Sequence, residues 1–238
     1  MGHATETLER AEHAAHAGHG GHEPAGRLTM WVGITMATLG VLLAFAAAKV
    51  GGERTELVKA LVDQQHAHAK YQAQDIKHRA AVLSLRQLHA TAAGEKVDAK
   101  DMLALATSVE RYYAESQAAN EWVDSYDPVI RAHTDGQEEY ERAQLAAEFG
   151  IVVASIALLL RRRAPWFVAL ALGMVAVGIL GGTWRHVGHI VHQAEAKIEE
   201  TGKAYRELRD SGKTTEADDA LVAEVRAAYG APKPKATP

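Results

Sequence analysis

Three apolar stretches interrupt an otherwise polar chain that is rich in helix-forming residues. They cover residues 28–50, 143–160 and 166–184, and the last has no charged residue between its terminal tryptophans. Each stretch approaches the ~20 apolar residues that a helix needs to cross the hydrocarbon core of a bilayer. The pattern therefore predicts three transmembrane helices, with a tryptophan anchor at each end of the third.

Residues 161–165 join the second and third apolar stretches in a turn that is too short for a folded domain. The turn begins with three consecutive arginines, and short basic loops remain on the cytoplasmic side of a membrane. The sequence therefore predicts that residues 1–27 lie in the cytoplasm. Residues 51–142 and 185–230 then lie outside the cytoplasm.

The first apolar stretch contains a motif, Ala44-Phe45-Ala46, that resembles a signal-peptide cleavage site. However, the stretch exceeds the usual signal-peptide core of roughly 7–15 apolar residues, and a long acidic segment precedes it. We therefore predict a retained membrane anchor. Small residues at spacings of three and four also follow one face of this helix: Gly33, Ala37, Gly40, Ala44 and Ala47.

Small residues on a membrane helix allow another helix to approach closely. The stripe on the first span therefore predicts a helix–helix contact, as against alanines that simply face lipid. The third span has two such pairs, Gly178 with Gly182 and Ala169 with Gly173. We expect these pairs to pack inside a helical bundle.

Residues 51–142 have the periodicity of two long helices joined by a polar turn. The first helix is expected over residues 53–92. The second begins after Asp98, a favourable N-cap, and ends near Tyr126, before Pro128. It carries an unbroken alternation of three- and four-residue steps, the heptad seam typical of a coiled coil: Met102, Leu105, Val109, Tyr112, Ser116, Ala119, Val123 and Tyr126.

The first of these two helices has an alanine-rich apolar face. We expect this face to pack against the heptad seam in an antiparallel hairpin; its residues are Val58, Val62, Ala69, Ala73, Ile76, Ala80 and Leu83. The neighbouring face is polar in its middle, with His68, Tyr71, Asp75 and His78. That polar stripe allows two interpretations: a hydrogen-bonded network or metal site, or the solvated or inter-subunit side of an amphipathic helix.

Residues 185–230 continue the third span as a helix with another heptad seam: Val187, Val191, Ala194, Ile198, Thr201, Tyr205 and Leu208. This helix can pack beside the hairpin, and Gly212 is expected to end it. A short helix over about residues 216–229 follows, and residues 231–238 are expected to be disordered. The predicted fold class is all-α, with three transmembrane helices and an extracytoplasmic coiled-coil helical bundle.

The composition excludes several kinds of chemistry. The chain has 238 residues, a formal net charge of −4 and no cysteine. A disulfide scaffold, a thiolate nucleophile, an iron–sulfur cluster and a thiolate zinc site are therefore excluded. The near-neutral charge gives no reason to expect nucleic acid. No paired catalytic constellation or phosphate-binding loop is present, so no enzymatic activity is predicted.

Histidines are concentrated in the N-terminal tail at three-residue spacing, as His13, His16, His19 and His22. Imidazoles at this density bind transition metals at least weakly. The alternative is a disordered cytoplasmic tail whose histidines have no dedicated role. Glycines and a proline in the same segment disfavour a helix, so no preformed site is predicted there.

Glu148 is an acidic residue inside the second predicted span. An intramembrane acid suggests a proton or ion relay, or a polar tie between helices. His186 and His189 directly follow the third span at a similar expected depth, so these three residues form a candidate metal site. The alternative is that the basic turn lets the helix shift outward, which leaves Glu148 near the headgroups.

The segment around residues 61–79 resembles a known family. Its Asp63-Gln64, Tyr71-Gln72-Ala73 and Ile76-Lys77 are similar to the loop motif of uncharacterised bacterial three-span inner-membrane proteins, which share domain of unknown function 4337. The resemblance covers roughly residues 25–185. It implies a location in the bacterial inner membrane and a helical fold, and it implies no activity.

The predicted function is that of a non-enzymatic scaffold or accessory subunit of the inner membrane. Its predicted partners are the lipid bilayer and either itself or another membrane protein, and no cofactor is expected. The alternative is a small metal- or proton-handling membrane protein that uses Glu148 and the histidines near the membrane. In that case a transition metal would be bound.

Overall fold

The computed structural model describes residues 26–92, 98–212, 214 and 219–229. This part of the chain is all-α and contains no strand, which confirms the predicted fold class at that level. The helices are α1 (Arg27–Ala92), α2 (Ala99–Asp124), α3 (Asp127–Leu160), α4 (Arg163–Ser211) and α5 (Ala220–Tyr229). The histidine-rich tail and residues 231–238 lie outside the described residues.

Three helical stretches are long and apolar enough to cross a membrane: Arg27–Thr91, Ala99–Leu160 and Arg163–Ser211. The chain divides into two compact units. Unit 1 comprises residues up to 59 and residues 128–192, and unit 2 comprises residues 60–127 and those from 193 onward. Each unit has its own core.

Helix α1 is longer than predicted, because the expected first span and the expected loop helix form one continuous helix. Gly51 and Gly52 do not end it. A glycine inside a helix costs only about 1 kcal/mol relative to alanine, and no proline follows the pair. The hydroxyl of Thr55 donates to the carbonyl of Gly51 at 3.0 Å, within the regular helical turn.

Local capping signals set the ends of α2 and α3. Asp98 is the N-cap of α2 as predicted, and its carboxylate accepts the backbone N–H of Lys100 at 2.9 Å. Helix α2 ends at Asp124, slightly before the predicted end. Pro128 stands in the first turn of α3, where a missing N–H leaves no helical hydrogen bond unmade.

The basic turn lies where the sequence predicts it, between α3 and α4. Arg161 adopts a left-handed backbone conformation with φ of 51°, the usual way for a helix to end. The N–H of Arg162 then donates to the carbonyl of Ala157 at 3.3 Å. Helix α4 begins at Arg163 and continues to Ser211, and Gly212 with a φ of 61° ends it, as predicted.

Small residues build the core of unit 1. Leu39 of α1 lies against Gly150 of α3 and Gly173 of α4, and a Cβ added at either glycine would be 3.0 Å from a Leu39 methyl group. Fully buried alanines surround this contact on all three helices: Ala46, Ala143, Ala147, Ala154, Ala169 and Ala176. The indole N–H of Trp166 donates to the Thr35 hydroxyl at 2.9 Å.

The predicted small-residue contacts are only partly present within this chain. Ala169 and Gly173 are buried, which confirms that pair. A Cβ added at Gly33, Gly40, Gly178 or Gly182 would meet nothing within 4 Å. Within the described residues, the space beside the Cα atoms of these glycines is therefore open, and larger residues of α1 such as Val32, Leu39 and Leu43 face the core of unit 1.

The heptad seams of α2 and α4 face the interior, as predicted. Every seam residue of α2 is buried or half-buried, and so is every seam residue of α4. In unit 2, the ring of Trp122 from α2 stacks on Tyr205 of α4 with centroids 5.7 Å apart. Helix α5 closes the core with Val222 and Val225, which pack near Met102.

The predicted packing face of α1 in unit 2 is wrong. The alanine-rich face points outward, with Val62, Ile76 and Leu83 exposed by 48%, 66% and 64%. The polar stripe points inward instead, together with buried Gln74 and Leu85. On this side of α1 the amides of Gln64 and Gln74 donate hydrogen bonds to Asp127 and Tyr205 of other helices, whereas the buried amide oxygen of Gln74 has no hydrogen-bond partner among the described residues.

Candidate functional site

An uncovered apolar surface follows α1 through unit 2. We call it the outer face of α1 and define it by six exposed apolar residues at three- and four-residue spacing apart from one seven-residue step: Val62, Ala69, Ala73, Ile76, Ala80 and Leu83. Exposed His66 lies on the same side of the helix, within the seven-residue step. Among the described residues of unit 2, the exposed large hydrophobic side chains are Leu61, Val62, Ile76 and Leu83. All four belong to α1, so the apolar exposure of unit 2 is confined to one helix.

Cationic side chains beside the outer face are already engaged within unit 2. The ammonium of Lys70 lies 4.9 Å from the centre of the Trp122 ring, and that of Lys77 lies 5.9 Å from the centre of the Tyr112 ring. Arg79 forms an ion pair with Asp75 at 2.8 Å. These contacts hold the charged groups at the sides of α1, so the outward surface is apolar apart from His66.

The side of α1 that carries the predicted polar stripe contacts other helices of unit 2, and within the described residues its histidines and acids belong to no group of three that could hold a metal ion. The amide of Gln64 donates to the Asp127 carboxylate at 3.1 Å, and the amide of Gln74 donates to the Tyr205 hydroxyl at 3.3 Å. The ring of His78 lies 5.5 Å from that of Tyr113. These three contacts join α1 to other helices of unit 2, whereas the contacts of His68 with Tyr71 and of Asp75 with Arg79 lie within α1.

Unit 1 contains a buried polar pair that the sequence-based reasoning missed. His133 Nδ1 of α3 lies 2.6 Å from a carboxylate oxygen of Glu53 on α1, with the side chains 10% and 14% exposed. Tyr140 lies seven residues, or two turns, further along α3. Its burial, and then the nearby charge of Glu53, raise the pKa of its hydroxyl above the ordinary value.

A sequence signal for this pair existed. Helix α3 carries its own alternation of three- and four-residue steps, and all members are buried: Val129, His133, Gly136, Tyr140, Ala143, Ala147, Gly150 and Ala154. His133 is the ionisable histidine in an otherwise small or apolar seam, so it must have a partner. Gly136 allows the close approach, because a Cβ there would lie 2.9 Å from Val187 and 3.6 Å from Glu53.

Glu148 of α3 is half-buried and accepts a hydrogen bond from the Gln144 amide at 3.1 Å. His186 and His189 of α4 are exposed. Within the described residues, no group of three or more histidine or acidic side chains could hold a metal ion. Glu148, His186 and His189 are therefore not gathered into such a group. His13, His16, His19 and His22 lie outside the part of the chain that the structure describes.

Two further buried acids in unit 2 have structural partners. Glu110 of α2 forms a two-pronged ion pair with Arg226 of α5, which fixes the last helix to the bundle. Glu115 is paired with Arg111 at 2.8 Å. The hydrogen bond and the charge of Glu115 raise the pKa of Arg111 above its ordinary value, so this guanidinium remains charged.

Comparison with known proteins gives one result that decides the family. The profile of the domain of unknown function DUF4337 matches residues 28–185. The chain belongs to this family. The match confirms the resemblance that the loop motif indicates, and it runs from α1 to the part of α4 in unit 1. Comparisons with curated proteins and with solved structures give no significant match.

The DUF4337 region does not contain all of unit 2. The second half of α4 and all of α5 follow it along the chain, yet Tyr205 and Val222 of those helices belong to the unit 2 core. The outer face of α1 lies inside the matched region. The candidate interaction surface is therefore part of the family domain, and the C-terminal helices support it from the opposite side of α1.

Proposed function

We propose that the three apolar helices of unit 1 cross the inner membrane of a bacterium. Of the most apolar window in each long helical stretch, only 28%, 28% and 22% is buried inside the protein. The exposed large hydrophobic side chains of unit 1 are spread over α1, α3 and α4, as in Phe45, Val152 and Val177. Lipid is the environment that such an all-round apolar surface requires.

The proposed topology has the N-terminus in the cytoplasm and the C-terminus outside. The three arginines between α3 and α4 support it, because basic short loops stay cytoplasmic. The residues of unit 2 then lie outside the cytoplasm. Water would surround unit 2, so apolar side chains on its surface would contact water and not lipid unless a partner covers them.

On this basis, the proposed function is that of a non-enzymatic scaffold or accessory subunit that works through helix contacts. The observation that carries it is the outer face of α1. Val62, Ile76 and Leu83 expose apolar side chains to water along one helix, whereas the outward faces of α2 and α4 in unit 2 are polar. A contiguous apolar surface on a water-exposed unit indicates a protein–protein contact.

A matched pair of isoleucines tests this function. Ile76 belongs to the outer face and Ile156 belongs to the proposed lipid-facing surface of α3. The change Ile76→Ser should reduce the mass of the assembly extracted gently from the membrane, while Ile156→Ser should leave that mass unchanged. Native mass spectrometry measures both. A wild-type protein that is monomeric and has no bound partner would contradict the scaffold function.

A second candidate function is the handling of protons, and the buried Glu53–His133 pair favours it. Two ionisable groups 2.6 Å apart, with a buried phenol close by, can exchange a proton inside unit 1. Purified protein in liposomes with an internal pH dye would test this. Proton entry that exceeds that of empty liposomes, and that Glu53→Gln abolishes, is the result this function requires; equal entry would contradict it.

Metal handling by Glu148, His186 and His189 stays a separate hypothesis. If these residues bind zinc or copper, the double change of His186 and His189 to alanine should abolish metal uptake by the purified protein. Unchanged metal stoichiometry would reject this site. Deletion of residues 1–27 in the same assay would separate any contribution from the histidine-rich tail.

A further inference from the structure

We infer that the outer face of α1 is covered by the same face of a second copy of this chain, with the two α1 helices parallel and in register. This inference rests on the proposed scaffold function and names its partner. Copies in one membrane share one topology, so their α1 helices leave the bilayer in the same direction. A face that follows one helix can therefore meet its own copy residue by residue.

The order of large and small residues fits this arrangement. Ala73 and Ala80 alternate with Ile76 and Leu83, at the three- and four-residue steps of a heptad repeat. In a parallel pair, alanine layers bring the backbones close, and the isoleucine and leucine layers fill the space between them. In each layer of the pair a residue then meets the same residue of the second copy, as for Ala73, Ile76, Ala80 and Leu83.

The charges beside the face are compatible with the parallel register. Flanking residues of a parallel pair meet at an offset of five positions. Arg79 then faces Ser84 of the other copy, and Lys77 faces Gln72. No like charges meet along this part of the outer face.

The same repeat places His66 opposite His66 within the outer face and Lys59 opposite Lys59 just before it. Each Lys59 has an acid of its own, because its ammonium lies 3.5 Å from the carboxylate of Glu56. The repulsion between the two ammonium groups is therefore partly offset by charges already in place.

The size of the face explains why the membrane matters. From Val62 to Leu83 the helix rises by about 32 Å, and a helix is about 10 Å wide. The contact is thus on the order of 300 Å² per copy, below the roughly 800 Å² per partner of a typical stable complex. Confinement of both copies in one bilayer raises their effective concentration, which compensates for a small contact area.

Single cysteines test the inference directly, because the chain contains no cysteine of its own. A disulfide needs Cα atoms within about 4.4–6.8 Å, a separation that seam residues of a parallel helix pair reach. The variants are Ile76→Cys and Leu83→Cys, with Arg86→Cys as an exposed control on the side of α1. The full-length proteins are oxidised mildly in their own membranes.

We expect Ile76→Cys and Leu83→Cys to form disulfide-linked dimers about tenfold faster than Arg86→Cys, because only the first two positions bring the sulfurs within bonding distance. Chains with Ala73→Cys should not cross-link to differently tagged chains with Ala80→Cys, since the register separates those residues by two turns. Equal rates for outer-face and control cysteines would overturn the inference.

The outcome also separates this inference from the scaffold function. Cross-links from Ile76→Cys to a different protein would leave the scaffold function intact and would overturn the second copy as partner. A wild-type protein that is extracted as a monomer without any partner would overturn both the scaffold function and the second copy as partner. Cross-links between Ala73→Cys and Ala80→Cys chains would contradict the register.

Discussion

The two units expose apolar side chains in different ways. In unit 1 these side chains occur on all three helices, whereas in the described part of unit 2 they occur on α1 alone. A uniform apolar surface indicates an apolar solvent, and a one-sided apolar surface indicates a partner. Exposed apolar residues of α1 therefore support two different interpretations: contact with lipid in unit 1 and contact with a protein partner in unit 2.

The largest expected effect is the difference in unfolding free energy between substitutions on the inner and the outer face of α1. Leu85 is 1% exposed and Leu83 is 64% exposed, two residues apart on the same helix. Leu85→Ala should destabilise unit 2 by about 2–5 kcal/mol, because it leaves a cavity. Leu83→Ala should change the stability of the chain by less than about 0.5 kcal/mol and should weaken only the assembly.

Thermal unfolding of the full-length protein in mild detergent measures the first effect, and native mass spectrometry measures the second. The comparison fails if Leu83→Ala unfolds the protein as strongly as Leu85→Ala does. That result would mean that Leu83 is part of a core within the chain.

A valine pair tests the contrast between lipid and partner. Val152 lies in the middle of the apolar part of α3, and Val62 lies on the outer face. Val152→Asp should oppose membrane insertion by about 3 kcal/mol, because a charge at the centre of a span is costly. Val62→Asp should leave insertion unchanged. The fraction of each protein that resists alkaline extraction from membranes is the measurement, and equal losses would refute the difference between the units.

Two glycines of α4 compare a crowded position with an open one. A Cβ at Gly202 would lie 2.9 Å from the indole nitrogen of Trp122, and this indole is held against Tyr205. Gly202→Ala should therefore cost about 1–2 kcal/mol. A Cβ at Gly188 meets nothing within 4 Å, so Gly188→Ala should stabilise the helix by up to about 1 kcal/mol. Unfolding midpoints that move in the same direction would contradict this packing.

The smallest effect is a loss of stability in alkali. Burial, and then the charge of Asp63, raise the pKa of the Tyr126 hydroxyl above its ordinary value of 10.0. The folded state therefore holds this proton at a pH where the unfolded chain has lost it. The stabilisation is complete below pH 10 and decreases as the pH rises toward the raised pKa.

Titration of the unfolding free energy from pH 9 upward would show this effect. Tyr126→Phe should make the curve flatter, since phenylalanine has no proton to lose. Tyr140→Phe should do the same for unit 1, where burial and Glu53 raise the pKa of Tyr140. Curves that stay parallel to the wild type would show that neither phenol contributes.

Local signals in the sequence predicted much of the fold. The Asp98 cap, the inward seams of α2 and α4 and the end of α4 at Gly212 depend on residues close together in the chain, and all are confirmed. Continuity of α1 through Gly51 and Gly52 was not predicted, because the first span (residues 28–50) and the loop helix (residues 53–92) were expected as separate helices. Their cost is small compared with the length of the helix that continues on both sides.

Long-range contacts explain why the faces of α1 were exchanged. The polar stripe resembles a solvent face when its own neighbours alone are considered. Beside the stripe, Gln64 and Gln74 bind Asp127 and Tyr205, which are 63 and 131 residues away in the chain, so short-range periodicity contains no sign of these contacts. The Glu53–His133 pair was missed for the same reason, although the position of His133 in an apolar seam was a usable signal.

The rate of cysteine labelling in intact membranes tests most directly whether the outer face of α1 is covered. Leu83→Cys and Thr107→Cys both place a thiol at an exposed position of unit 2, on α1 and α2 respectively. We predict that a water-soluble maleimide reacts much more slowly with the first thiol than with the second, and equally fast with both after denaturation. Equal rates in the native membrane would show that the outer face is open to water and would contradict the account.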